Sequence, residues 1–140
     1  MGAPYYGAYF VSAALAGADS VAMLDAGNTA YATYAVYKAG KPVRVVLYNS
    51  DFYTSGTRPT RAFALEGLAA GALLKAKRLT APNANSRQDQ GGNPSFGGQR
   101  FSNGTCLIDG SEKYEDYTVE GSGSVSISVG ASEAVLVYLV

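Results

Sequence analysis

The stretch SVSISVGASEAVLVYLV, residues 124–140, decides the fold. Its first half sets three serines against Val125, Ile127 and Val129. That period of two is the pattern of a strand with one face inward and one face in water. Gly130-Ala131-Ser132 interrupts the run, and from Ala134 to Val140 every residue is apolar. A continuously apolar strand belongs in the middle of a sheet with both faces covered. A half-buried strand followed at once by a fully buried one requires stacked layers of β-structure rather than a single exposed sheet.

Working back along the chain, the same signals recur. Strands are expected at Ser20–Leu24, Ala30–Lys38, Val43–Asn49, Arg61–Leu65, Leu73–Thr80, Thr105–Ile108, Tyr114–Glu120, Ser124–Val129 and Glu133–Val140. In the run from Val43, residues Val43, Val45 and Leu47 share one face while Arg44, Val46 and Tyr48 share the other. Turn chemistry separates the runs: Asp25-Ala26-Gly27-Asn28, Ala39-Gly40-Lys41-Pro42, Asp109-Gly110, Glu120-Gly121-Ser122-Gly123 and Gly130-Ala131-Ser132. The last three read as hairpin connections. About eight short strands at this spacing predict a mainly β fold, an antiparallel two-sheet β-sandwich.

Ahead of the strands, Tyr5–Ala16 is Ala-rich and apolar around nearly its whole circumference, and Gly17 can end it. This predicts a short N-terminal helix within residues 1–18, with the sandwich occupying 19–140. A helix apolar on every side needs cover. That makes Tyr5, Tyr6, Tyr9 and Phe10 candidates for an interface with a further domain or with a second copy. Residues 81–100 hold Pro, Asn, Ser, Gln and Gly with almost nothing apolar except Phe96. Such a segment reads as a long polar loop, a mobile insertion between two strands.

Composition removes several kinds of chemistry. The 140 residues suit one domain and contain no His, no Trp and a single Cys, with eleven Tyr. Without imidazole there is no Ser-His-Asp triad and no Cys-His pair, and one thiol cannot build a zinc site or an intrachain disulfide. Cys106 has only Thr105 and Leu107 beside it, neither of which activates a thiol. Eleven Lys+Arg balance eleven Asp+Glu, which argues against nucleic acid or an anionic membrane as partner. The Gly-rich stretches lack the spacing of a phosphate loop, so no cofactor is expected. Residues 5–16 lack the basic start of a signal peptide and are too short to span a bilayer.

The remaining candidates are weak by motif alone. Glu112, Glu115, Asp116 and Glu120 form the densest acidic cluster. Paired carboxylates can cleave a glycoside and converging ones can hold calcium, but this spacing matches neither. Interleaved with Lys113, Tyr114 and Tyr117, the cluster reads as a solvated strand and its turn. No catalytic and no metal-ligating residue is therefore assigned. Tyr48, Phe52 and Tyr53, at a strand end and the loop after it, are candidates for stacking on a sugar ring. Asn103-Gly104-Thr105 is an N-glycosylation sequon.

The order of segments carries more than any one of them. Tyr5-Tyr6-Gly7-Ala8-x-Phe10 comes first, then Tyr31-Ala-x-Tyr34-Ala-Val-Tyr37 and Pro42-Val-Arg-Val-Val-Leu-Tyr-Asn49. Gly56-Thr57-Arg58-Pro59, Lys77-Arg78-Leu79-Thr80-Ala81-Pro82, Gly98-Gln99-x-Phe101 and Ala131-Ser132-Glu133-Ala134-Val135-Leu136-Val137 follow. This series resembles the C-terminal β-domain of fungal glycoside hydrolase family 79 proteins, the β-glucuronidase and heparanase-like group. The resemblance implies a β-sandwich packed in cis beside a (β/α)₈ barrel that carries the catalytic glutamates, and a secreted parent protein. It implies that residues 5–16 correspond to the helix leading out of the barrel, and that the sandwich borrows a strand from the far N-terminus of the parent chain. On that basis the chain is expected to be a non-catalytic accessory domain of a glycosidase acting on glucuronides, with self-association where the barrel is absent. The alternative is a free-standing secreted carbohydrate-binding, lectin-like or immunomodulatory protein.

Overall fold

The structure is a computed structural model that describes residues 2–139. One helix, α1 (Ala3–Leu15), precedes eleven strands among the described residues. They are β1 (Ser20–Met23), β2 (Tyr31–Lys38), β3 (Lys41–Asn49), β4 (Thr60–Leu65), β5 (Leu73–Thr80), β6 (Ser95–Phe96), β7 (Arg100–Phe101), β8 (Ile108–Asp109), β9 (Glu115–Thr118), β10 (Val125–Gly130) and β11 (Glu133–Tyr138). The large sheet runs β1-β2-β3-β11-β5-β6, with β9 pairing to the other end of β5. A two-stranded sheet, β10-β4, lies against it, and β7-β8 form a small ribbon. Every pairing is antiparallel. The fold is a β-sandwich, as the alternation in residues 124–129 requires.

The closing strand is central, as its unbroken apolar run predicts. β11 sits between β3 and β5, with Val135 opposite Leu47 and Arg78. Its odd-numbered side chains, Val135 and Val137, pack with Ile127, Phe63 and Leu65 of the small sheet, forming the core between the sheets. Its even-numbered side chains, Ala134 and Leu136, pack with Phe10 and Ala14 of α1 and with Phe96. Burying a side chain of this size contributes about 1.5–3 kcal/mol, so a strand loaded on both faces anchors both layers at once.

Three sequence expectations are corrected here. First, Tyr6 and Phe10 are 2% and 5% exposed and packed inside this domain, so neither is available to another molecule. The cover for that side of the helix comes from the domain's own sheet and from Phe96 and Phe101. Tyr5 remains exposed at 45% and Tyr9 is half-buried. Second, residues 95–101 are not part of a loose insertion. Phe96, 1% exposed, pairs opposite Leu79 and meets Tyr9 and Phe10 edge to face at 5.6 and 5.2 Å. Average polarity over 81–100 conceals this single anchor. Gly97 and Gly98, both at positive φ, make the tight reversal in which the Phe96 amide donates to the Gln99 carbonyl. Third, none of the three expected hairpins forms: Asp109-Gly110 follows β8, which pairs β7 while β9 pairs β5, and the turns at 120–123 and 130–132 join different sheets. Each of these two turns carries the chain between the large sheet and the small one, since β9 and β11 belong to the first and β10 to the second. Turn residues specify a bend, not whether the flanking strands pair with each other. Residues 105–107 form no strand, and only Ile108–Asp109 pairs there.

The helix is held at both ends. Pro4 occupies its first turn, where a missing N–H costs nothing. At the other end the Arg44 guanidinium donates to the carbonyls of Ala14 and Ala16, both at 2.6 Å. A cation at the helix C-terminus satisfies orphan carbonyls and complements the dipole. Near the N-terminal end, the Phe101 amide donates to the buried Tyr6 hydroxyl at 2.8 Å.

Candidate functional site

The acidic cluster is structural. Each of its first three carboxylates meets a cation from β5, the neighbouring strand: Glu112 with Lys77 at 2.7 Å, Glu115 with Arg78 at 2.7 Å and Asp116 with Lys75 at 3.0 Å. The strand and turn are largely exposed, as expected from sequence, and they also carry a ladder of ion pairs to β5. The Lys77 hydrogen bond, and then its charge, hold the Glu112 carboxyl below the usual carboxylate range. Burial pulls the Lys77 ammonium down, but the Glu112 bond and charge outweigh it and raise its pKa. Lys77 also lies over the Phe96 ring, 4.4 Å from its centroid, so the same cation ties the ladder to the helix-side core. Among the described residues no group of three or more His, Cys, Asp or Glu is placed to hold a metal ion.

Between the sheets, at the end where β10 turns into β11, lies a denser polar knot. Glu133, with a side chain 10% exposed, accepts from Arg58 and from Arg78, the latter at 2.8 Å. It also accepts from the Thr80 hydroxyl at 2.6 Å and the Gly130 amide at 3.0 Å. Arg78 holds Glu115 with two parallel bonds and donates to the Ser128 carbonyl of β10. The Tyr117 hydroxyl donates to Glu115 at 2.7 Å. Burial pushes the Glu133 carboxyl up, while Thr80, Arg78 and Arg58 more than offset this and leave its pKa lowered. Glu115 is lowered chiefly by its hydrogen bond from Arg78. Burial and the bond to Glu115 push the Tyr117 hydroxyl up to about 12. Arg58 and Arg78 reach both sheets and the 81–82 segment, so the knot fastens the sandwich closed. Arg58, Arg78, Thr80 and Glu133 all lie in segments that carry the family resemblance, but no role could be read for them from sequence.

The aromatic candidates separate. Tyr48 and Phe52, 45% and 72% exposed, line one groove of about 440 Å³ beside the N-terminal end of α1. Tyr53 is not on that groove: its hydroxyl donates to the Gly56 carbonyl and Arg58 lies over its ring, 4.3 Å from the centroid. The groove's polar groups Thr80, Ser132 and Glu133 are already engaged within the protein. Asn103 is exposed on the turn after β7, and its side-chain oxygen accepts from Asn93 at 2.9 Å. Cys106 is an exposed free thiol at positive φ.

A further surface went unremarked in the sequence. On α1, Pro4, Ala8, Val11 and Leu15 form an outward stripe opposite the buried line of Tyr6, Phe10 and Ala14. The helix covers β3, β11 and β5; on its side of β2, Val36 opposite Arg44 is buried at 1% exposure, while Tyr34 and the β1 residues are exposed. Register shows what this leaves open. Tyr34 is opposite Val46, which faces the helix, and Met23 is opposite Tyr34. Val21 and Met23 therefore present their side chains on the helix side of the sheet, 49% and 56% exposed.

The fold and these surfaces define a β-sandwich module in which Glu112, Glu115, Asp116 and Glu133 serve ion pairs and whose outward groove carries aromatic and aliphatic side chains. The chain belongs to the family described as the glycosyl hydrolase family 79 C-terminal beta domain, whose model matches residues 33–136. Among solved structures, it is similar to the crystal structure of a 4-O-alpha-L-rhamnosyl-beta-D-glucuronidase from Fusarium oxysporum 12S in complex with Rha-GlcA. That likeness has a TM-score of 0.94 and 52% sequence identity, and covers 99% of this chain. The chain spans 30% of that protein's length. A search among curated proteins returns no match. No helix among the described residues is long and apolar enough to cross a membrane.

Proposed function

We propose that the chain is the non-catalytic β-domain of a larger, secreted glycosidase acting on glucuronides, and that it buttresses the catalytic barrel of that protein. The observation that carries this reading is the near-complete match of this chain to 30% of the Fusarium glucuronidase, together with its family. The engagement of Glu112, Glu115 and Glu133 in ion pairs supports it, because carboxylates fixed to cations are poor general acids and nucleophiles. Among the described residues β4 and β10 pair only with each other, so each keeps an unpaired edge that a strand from elsewhere in the parent chain would fill. The exposed sequon at Asn103 fits passage through a secretory route.

The test is direct. The purified chain is expected to show no hydrolysis of an aryl glucuronide. Turnover that co-purifies with it and disappears in the Glu115→Gln or Glu120→Gln variant overturns the reading. In the isolated chain, Tyr48 and Phe52 are the residues at which a glycan would stack. Competable binding on a glycan array that is lost in Phe52→Ala would add recognition to the structural role.

A further inference from the structure

We propose that the face formed by the outer stripe of α1 and the adjoining surface of β1 to β3 is the seat of the catalytic domain of the same polypeptide. The inference rests on the reading that the chain is the β-domain of a larger glycosidase. Six side chains define the face: Val11 and Leu15 on the helix, and Val21, Met23, Tyr34 and Tyr48 on the sheet beside it. All six are exposed, between 36% and 56%. They form one surface because register puts the four sheet residues on the helix side, and because Gly7 of α1 lines the same groove as Tyr48. Gly7 and Val11 lie one turn apart on the helix, so the flank of α1 that carries Val11 is the flank turned toward the open strands.

Composition sets this face apart. The charged side chains placed on this side, Arg44 and Lys38, lie at its end by the C-terminus of α1, where Arg44 donates to the Ala14 and Ala16 carbonyls and Lys38 lies beside Gly17. Depletion of charge with enrichment of Tyr, Met and aliphatic residues marks the centre of a protein–protein interface rather than ordinary surface. Contiguous exposed apolar surface of this kind normally has a partner. The other prominent apolar side chain of the large sheet, Leu73 at 80% exposure, is flanked by Lys75 and Asp116 and has no such surroundings.

The occupant follows from the comparison. The Fusarium protein carries this domain, at 52% identity, as 30% of a single chain. The rest of that chain must rest against some face of the module. The knot end is closed by ion pairs and the β9 side bears the charged ladder, while the helix side of β1 and β2 presents Val21, Met23 and Tyr34, with Val36 buried and Lys38 held beside Gly17 at the end of α1. A catalytic domain presenting aliphatic side chains of its own fits that face.

The experiment places this chain in the Fusarium enzyme in exchange for the matching domain. The chimera is read by its glucuronidase activity and by thermal melting, alongside Val21→Glu/Met23→Glu and Leu73→Glu versions. The unsubstituted chimera is expected to be active and to melt in one transition. Val21→Glu/Met23→Glu should split the melt in two, lower the catalytic transition by at least about 5 °C and cut activity at raised temperature roughly tenfold. Leu73→Glu should do neither. In the isolated chain the double substitution should move the melting temperature by no more than about 2 °C, because both side chains are exposed. A double-substituted chimera with unchanged melting and activity overturns this inference while leaving the accessory role standing. An unsubstituted chimera that is inactive and melts in two steps overturns both. Light scattering that shows the isolated chain as a dimer dispersed by Val21→Glu, with the chimera unaffected, assigns the face to a second copy and overturns the proposal.

Discussion

Replacing Phe96 with alanine tests how the helix layer is held. The ring is 1% exposed, wedged between α1 and the large sheet, with Tyr9 and Phe10 edge to face and Lys77 above it. Truncating a buried Phe to Ala costs about 3–5 kcal/mol, less where neighbours collapse into the gap. Collapse is restricted here, because Arg44 pins one end of the helix and the Tyr6 hydroxyl bound to the Phe101 amide pins the other. The expected loss is therefore about 4 kcal/mol, a large part of the roughly 5–15 kcal/mol by which a domain is stable. At about 3 °C per kcal/mol for a chain of this size, the melting temperature should fall by roughly 10–15 °C. Urea unfolding followed by tyrosine fluorescence and far-ultraviolet circular dichroism measures it, with the denaturant slope expected to stay unchanged. Phe52→Ala, at a side chain 72% exposed, is the control and should stay within about 0.5 kcal/mol. A loss at Phe96 below about 1.5 kcal/mol would refute the argument, showing that the helix layer does not depend on this wedge.

Glu133→Ala should cost about 3 kcal/mol in the same unfolding assay, because it strips the carboxylate partner from Arg58, 20% exposed, and one of the two carboxylates from Arg78, 22% exposed. Glu133→Gln keeps one accepting oxygen, enough for the Thr80 hydroxyl or the Gly130 amide but not both, and should cost less than Glu133→Ala. Stability should be level from about pH 6 to 8, since the chain has no His, and should fall as pH drops below 4.5, the ordinary glutamate value. The sign follows from the lowered pKa values of Glu115 and Glu133: below 4.5 the unfolded chain binds protons that the folded one does not. A pH titration of the unfolding midpoint checks this, and the slope should be shallower in Glu133→Gln. Arg44→Ala should cost about 1–2 kcal/mol and speed amide exchange in α1, because two C-terminal carbonyls lose a charged donor. Arg44→Lys should recover only part of that, since an ammonium lacks the two-pronged geometry.

The elements whose period is strong were legible in the sequence, and those that depend on one residue were not. Alternation in Val125–Val129, the shared face of Val45 and Leu47 and the unbroken run after Glu133 predicted β10, β3 and β11 and their burial. Leu73–Thr80 was bounded correctly to the residue. The short strands β6 and β7 were missed because two residues have no period, and the turns at 120–123 and 130–132 were misassigned because a bend does not reveal which sheet follows. The helix was expected from its alanines, but circumferential apolarity hid that two opposite lines of it have different fates: Tyr6, Phe10 and Ala14 inward, Val11 and Leu15 outward. The ordered succession of segments pointed to the family. The knot around Glu133 was invisible because its members, Arg58, the β5 pair Arg78 and Thr80, and Glu115, come from three separate places in the chain.

The position of β11 has a consequence for how the domain is made. It is the last described strand in the chain and the central one in the large sheet. Until residues 133–138 emerge from the ribosome, β1-β2-β3 and β5-β6-β9 are two half-sheets with facing unpaired edges. The sandwich therefore cannot close during most of its own synthesis, and its longest-range contacts form last. In that interval the edges of β3 and β5 are open to strands of other chains, and a chaperone that shields them would raise the yield of folded protein.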